Sequence, residues 1–233
     1  DADDAGAIAA GMSGVEGLVV LGTRLVEHPA SKPRLGASAD RFAARLAEVV
    51  RSVRTTVMTT MVQSPITLRN LVMNADYYAA CPGIADLAGA AKGKAAIVVA
   101  AGPSLHRNIQ ELSRPEVREK FVIVAVQTVL KTLLERGISP HFVTALDHAD
   151  LSKRFYEGLS ERDVEGVTLV VEAKANASIL EAFPGEVRIS REPLLDSLLG
   201  PVFSRERGEI TPGATVAHMA YYLARHLGCE PVV

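Results

Sequence analysis

Seven consecutive small or β-branched apolar residues, Ala95–Ala101 (AAIVVAA), run up to Gly102-Pro103-Ser104. An uninterrupted apolar run bounded by a turn reads as a strand buried on both faces, which is the signature of a parallel sheet covered by helices. The turn is followed by LHRNIQEL, Leu105–Leu112, which has helical spacing. Gly102 lets the backbone approach a ligand closely because it has no Cβ. Pro103 suits the first helical turn, where a missing N–H costs nothing. Ser104 places a hydroxyl there, either as a cap or for a ligand. The free N–H groups of such a turn attract an anion.

The rest of the chain repeats this unit. Strands are expected at Phe121–Val126, Phe142–Leu146, Val167–Val171 and Val187–Ser190. Helices are expected at Thr128–Arg136, Leu151–Leu159, Ala177–Phe183 and Thr215–Leu227, the last stopped by Gly228. The expected fold is therefore α/β: a Rossmann-like three-layer α/β/α domain with a mainly parallel sheet, preceded by a helical segment. Residues 1–90 read as the N-terminal segment, mostly helical from 40, and 91–233 as the Rossmann-like domain. Within the segment, Gly17–Leu25 reads as a short strand and His28–Ser38 as a loop. One helix starts at Asp40 and weakens or ends over the β-branched stretch Thr55–Met61. A second helix covers Ser64–Tyr78, with Pro65 in its first turn. The closing residues Cys229–Val233 read as a strand just beginning, so the chain reads as a fragment cut within its sheet.

Composition excludes several classes. The formal charge is −2, which gives no general nucleic-acid surface, and there is no Trp for a base-stacking platform. No apolar run reaches membrane-spanning length. The acidic start, DADDAGAIAAGMSG, lacks the basic region of a signal peptide, and the expected location is the cytoplasm. Cys81 and Cys229 match no zinc or redox spacing and read as buried thiols. GxxxxGK[ST] is absent, the first turn reads AAGPSL rather than GxGxxG, and the next strand ends in Gln127 where a dinucleotide site wants an acid.

In an open parallel sheet, ligands bind beyond the carboxyl ends of the strands. Gly102-Pro103-Ser104, Gln127-Thr128, Asp147-His148, and Glu172 with Lys174 and Asn176 fall there. Thr211-Pro212-Gly213-Ala214-Thr215 adds another helix N-terminus. Asp147 reads as a general base, a ribose or metal ligand, or a helix cap. His148 is its neighbour on an extended chain, so one of the two is expected to line the pocket. Lys174 reads as solvated, His141 as structural, and Arg205 and Arg207 as part of an exposed loop.

GPSLxxNI, AVQTVLKTLLERGISPHFVTALD and TPGATVAHMAYYLARHLGCEPVV together resemble the motility-associated factor glycosyltransferase family. Its core is shared with archaeal 6-hydroxymethylpterin diphosphokinase-like proteins, and the resemblance covers about residues 65–233. It implies transfer of a nonulosonic acid from a CMP-activated donor to Ser or Thr of a protein such as flagellin. The core also looks like that of CMP-sialic-acid-using sialyltransferases. Carried over by residue, Gly102, Pro103, Ser104, Asn108, Gln127, Gly213, Ala214 and Thr215 would bind the donor nucleotide, and Asp147 and His218 would be catalytic. The family continues past the last helix into a Gly-Gln-Asp-Leu-like segment that this chain does not reach. No metal site is expected for the transferase. A diphosphokinase would instead use ATP and Mg²⁺, with Asp147 as ligand. A non-catalytic module that binds nucleotide or a partner protein is the third class.

Overall fold

The computed structural model describes Gly22, Arg24 and residues 26–200, 206–211 and 215–233. The expected strand Gly17–Leu25 lies mostly outside the described residues. The chain divides into two units, Asp1–Pro65 and Ile66–Val233.

In the first unit, α1 spans Ser31–Leu35 and ends at Gly36, whose φ of 53° few other residues adopt. The stretch expected as a loop is thus largely helical: Gly36 stops one helix and Ala37 starts the next. That next helix, α2, runs unbroken over Ala37–Met73. It passes through both Thr55–Met61 and Pro65, where a break was expected. The reason is local. Pro65 has no N–H for the carbonyl four residues back, and Ser64 Oγ donates to that carbonyl, Met61 O, at 2.8 Å. The freed acceptor is satisfied, and the helix continues.

In the second unit, α3 (Ala75–Ala80) leads through a 3₁₀ turn at Ala85–Leu87 to the sheet. Five parallel strands follow in sequential order: β1 Ala95–Val99, β2 Phe121–Val126, β3 Phe142–Ala145, β4 Thr168–Val171 and β5 Glu186–Ile189. Between them lie α4 (Pro103–Leu112), α5 (Pro115–Lys120), α6 (Leu130–Leu134), a 3₁₀ stretch at Asp150–Phe155, and α7 (Ala177–Ala182). After β5 come α8 (Pro193–Leu199) and α9 (Val216–His226). The chain then returns to the free side of β1, where Val232 pairs with Ala96 in parallel. The sheet order therefore reverses at β1, which is the kind of switch point where α/β folds open a crevice.

Side chains alternate across the strands, and each face has its own core. Val143, Ala145, Leu169, Val171 and Ile189 pack with Leu71, Tyr78 and Tyr156. Val170 faces the other way, into the cluster holding Met219, Ala220, Leu223 and Ala224 of α9. Helices cover both sides, as a buried parallel sheet requires. The register pairs Val99 with Ala125, Val126 with Thr144, and Ala145 with Val171. The strands therefore end together, along one edge.

Candidate functional site

The first element on that edge is the turn after β1. Gly102 is the N-cap of α4 in extended conformation, and Pro103 opens the helix. No side chain caps this helix, so Ser104 is not the cap. Ser104 is exposed, and its hydroxyl has no hydrogen-bond partner among the described residues. Ile109 fills the buried face of α4, which leaves Ser104 and Asn108 on the open side. They are four residues apart, so they share that side about 6 Å apart along the axis. Gly102 N and Leu105 N already donate to Ala100 O and Gly102 O, so the Ser104 N–H, its hydroxyl and the Asn108 amide are what this turn can offer an anion or a sugar hydroxyl.

The second element joins β2 to β3. Gln127 follows β2 and is fully buried, and Asp147 follows β3 and is half-buried. Gln127 Nε2 donates to Asp147 Oδ2 in a short hydrogen bond. Ser152 Oγ donates to the same oxygen at 3.1 Å. Tyr156, fully buried, donates its hydroxyl to Gln127 Oε1 at 3.0 Å. Burial, and after it the Asp147 charge, raises the Tyr156 hydroxyl well above its ordinary pKa and keeps it a neutral donor. Among the described residues Asp147 Oδ1 has no hydrogen-bond partner, and it is not a buried atom. The 3₁₀ stretch after Asp147 has Ala149 as its N-cap with no side-chain bond, so Asp147 caps nothing.

Asp147 lines a cavity of about 330 Å³ with His148, Leu151, Ser152, Arg154 and Phe155. Both Asp147 and His148 line it, although strand alternation had favoured one. β3 ends at Ala145, so the alternation no longer applies to either residue. Asn176 Nδ2 and Asn70 Nδ2 hold the His148 carbonyl at 3.1 and 3.5 Å. Asn176 is thereby structural, and it also caps α7 through Ser178 N. Lys174 lies 3.9 Å from Glu192 and is partly exposed.

The third element is the start of α9. Thr215 is its N-cap: Oγ1 accepts from His218 N at 3.4 Å and lies 3.0 Å from His218 Nδ1. Both residues are exposed. Thr144 Oγ1, buried near the end of β3, donates to Val216 O at 3.4 Å and ties this helix start to the strand edge. Gly213 and Ala214 lie outside the described residues. Among the described residues, no hydrogen bond or ion pair joins Ser104 to Asp147, Thr215 or His218. No group of three or more His, Cys, Asp or Glu among them is placed to hold a metal ion.

Three other expectations resolve in the structure. His141 is structural: Nδ1 accepts from Ile123 N at 3.1 Å. Cys81 and Cys229 are both free, Cys229 buried and Cys81 half-buried. Arg207 departs from expectation, being only 1% exposed. Its guanidinium lies 3.9 Å from the centre of the Tyr78 ring and donates to the carbonyls of Tyr78 and Cys81. The chain crossing explains the burial. A Cβ at Gly83 would meet the Arg207 backbone at 2.5 Å, so the two segments touch where only glycine fits. Arg205 lies outside the described residues.

The profile of the 6-hydroxymethylpterin diphosphokinase MptE-like family matches residues 69–233. The chain belongs to the MptE-like family. The match covers the whole parallel sheet and every site element above. Among solved structures, the MAf glycosyltransferase from Magnetospirillum magneticum AMB-1 shares the fold of this MptE-like core, with a TM-score of 0.52 at 18% identity. The superposition covers 79% of this chain and 30% of that one, so the chain spans less than a third of that relative's length. No curated protein sequence matches. No helix among the described residues is long and apolar enough to cross a membrane.

Proposed function

We propose that this chain is the donor-binding core of a cytoplasmic glycosyltransferase. It would move a nonulosonic acid from a CMP-activated donor to a Ser or Thr hydroxyl of a protein such as flagellin. In this reading residues 1–90 are the N-terminal segment and 91–233 the nucleotide-sugar-binding domain. One observation carries it. A parallel-sheet edge presents a ten-residue helix N-terminus with the Ser104 hydroxyl and, two strands away, a carboxylate oxygen, neither of which has a partner among the described residues.

The donor phosphate would lie against Gly102, Pro103 and Ser104, with Asn108 and the Gly213-Ala214-Thr215 turn contacting the rest of the nucleotide. Breaking the bond from the anomeric carbon to the phosphate oxygen sends the electron pair to CMP. Helix N-terminal N–H groups stabilise that anion as it leaves. The acceptor oxygen bonds to the anomeric carbon, and its proton passes to Asp147 or His218. Calorimetric titration of the full chain with CMP tests the placement. Saturable binding, weakened at least about fivefold in Ser104→Ala, is expected from one lost hydrogen bond to a charged group. Unchanged affinity in the variant removes the phosphate from this turn.

The family description favours a second reading, an ATP-dependent diphosphokinase. Mg²⁺ is usually held by one or two carboxylates together with substrate phosphates. Asp147 is the carboxylate that would hold it, and the described residues offer no group of three or more His, Cys, Asp or Glu placed for a metal ion. AMP release from ATP with a hydroxymethylpterin and Mg²⁺, without CMP binding, would replace the first reading with this one.

A further inference from the structure

Gln127 stands on the strand edge as a candidate ligand for the nucleotide, yet both ends of its amide are already engaged inside the protein. We propose that Gln127, Ser152 and Tyr156 are positioning residues that lock the Asp147 carboxylate so that only Oδ1 addresses the cavity, as a single-point acceptor for a substrate hydroxyl. This deepens the glycosyltransferase reading and rests on it for the substrate class.

The hydrogen bonds have a fixed direction. An ionised carboxylate only accepts, so Gln127 must turn Nε2 to Asp147. That leaves Oε1 facing Tyr156, whose hydroxyl must then donate. Turning the amide over would set two acceptor oxygens against each other in a buried place. The carboxylate therefore selects the amide orientation, and the Tyr156 hydroxyl, donating to Oε1, anchors the amide in that place. The ring of Tyr156 is itself fixed, edge-on to Phe183 at 5.6 Å between centroids. Ser152, 4% exposed, supplies the second donor to Oδ2. With two donors converging on one oxygen, turning the carboxylate out of this plane breaks both bonds. A half-turn only exchanges two equivalent oxygens, so one oxygen is always held and the other, Oδ1 here, always faces the solvent side. Placing a reacting group by buried neighbours, rather than by substrate, is what preorganised sites do. An amide carries no proton along the row, so this is an orienting device and not a relay.

The test uses the full chain with Tyr156→Phe, Gln127→Met and Ser152→Ala, each alone and combined with Asp147→Asn. CMP-N-acetylneuraminate and a Ser/Thr peptide are the probes, and CMP release is the readout. Tyr156→Phe is expected to lower kcat about tenfold with the donor KM within about twofold, and to add nothing in the Asp147→Asn background. Equal kcat, or a loss that adds fully to that of Asp147→Asn, overturns the proposal. A substrate-free arm separates it from the proposed function. In ¹H–¹⁵N spectra, one glutamine side-chain amide should exchange slowly with water and shift in both Tyr156→Phe and Asp147→Ala. If the wild type releases no CMP but this amide behaves so, the glycosyltransferase reading fails and the orienting device stands. An amide averaged with the free glutamines and insensitive to both substitutions overturns the device itself.

Discussion

Two tyrosines anchor two buried polar networks in this protein, and the networks differ in what they leave over. Tyr78 accepts from Glu192 N at 3.0 Å, donates to Asp196 Oδ1 at 2.7 Å and lies under the Arg207 guanidinium. The other oxygen of Asp196 takes Arg191 Nε at 3.0 Å. Every acceptor of that carboxylate is used within the protein, and the network clamps α3, α8 and the 206–208 segment together. Tyr156 reaches, through Gln127, a carboxylate with one oxygen still free, at a cavity. A network whose carboxylate oxygens are both engaged inside the protein holds the fold, even though Arg207 Nε is buried without a partner among the described residues. A network with one acceptor to spare, facing solvent, has something to offer a ligand.

The largest expected effect tests the clamp. Arg207→Ala should destabilise the protein by about 3–4 kcal/mol, because it strands buried carbonyls and opens a void beneath the ring. A urea midpoint shift under 1 kcal/mol would show that the clamp carries little. The paired hydroxyl deletions come next. Tyr78→Phe and Tyr156→Phe should each cost about 1–2 kcal/mol, since each leaves buried partners unsatisfied. Only Tyr156→Phe should also slow CMP release. If both slow it, or neither does, the distinction between the two networks is lost.

The opposite edge of the sheet supplies a control. Burial, then the nearby Arg118 and Lys94 charges, brings His141 down to about 4. The unfolded ring titrates near 6.5, so between these values the unfolded chain binds more protons. This contribution is complete above about pH 6.5 and is lost as pH falls toward 4. The loss should be about 1–2 kcal/mol, discounted for the exposed part of the ring, and His141→Asn should remove that pH slope from denaturation curves. The smallest expected structural effect belongs to Ser104→Ala, within about 0.5 kcal/mol of wild type, because its hydroxyl has no partner among the described residues. A larger loss would mean the turn after β1 is structural, like the clamp.

Much of the fold was legible because its signals are local. The apolar runs at Ala95–Val99 and Phe121–Val126 mark their own strands, and Gly228 stops α9 with a φ of 80°. The helix through Pro65 was not legible, because a hydroxyl one residue earlier rescues the carbonyl. The site was legible in part. Asp147 and Ser104 could be placed at strand ends by counting. Ser152 and Tyr156 carry only a faint local signal, a four-residue spacing after a strand-end acid that hints at one shared face. Arg207 gave no such hint, since SRERGE has the composition of a solvated loop.

The sequence alone determined the repeating strand–helix order, the parallel sheet and the edge on which candidate residues gather. These follow from hydrophobic periodicity and turn chemistry, which act between near neighbours. Only the tertiary structure decided which polar groups are spent and which are spare. Tyr156 meets Gln127 across 29 residues and Arg207 meets Tyr78 across 129. Such pairings depend on where separate segments cross, and no local pattern encodes a crossing.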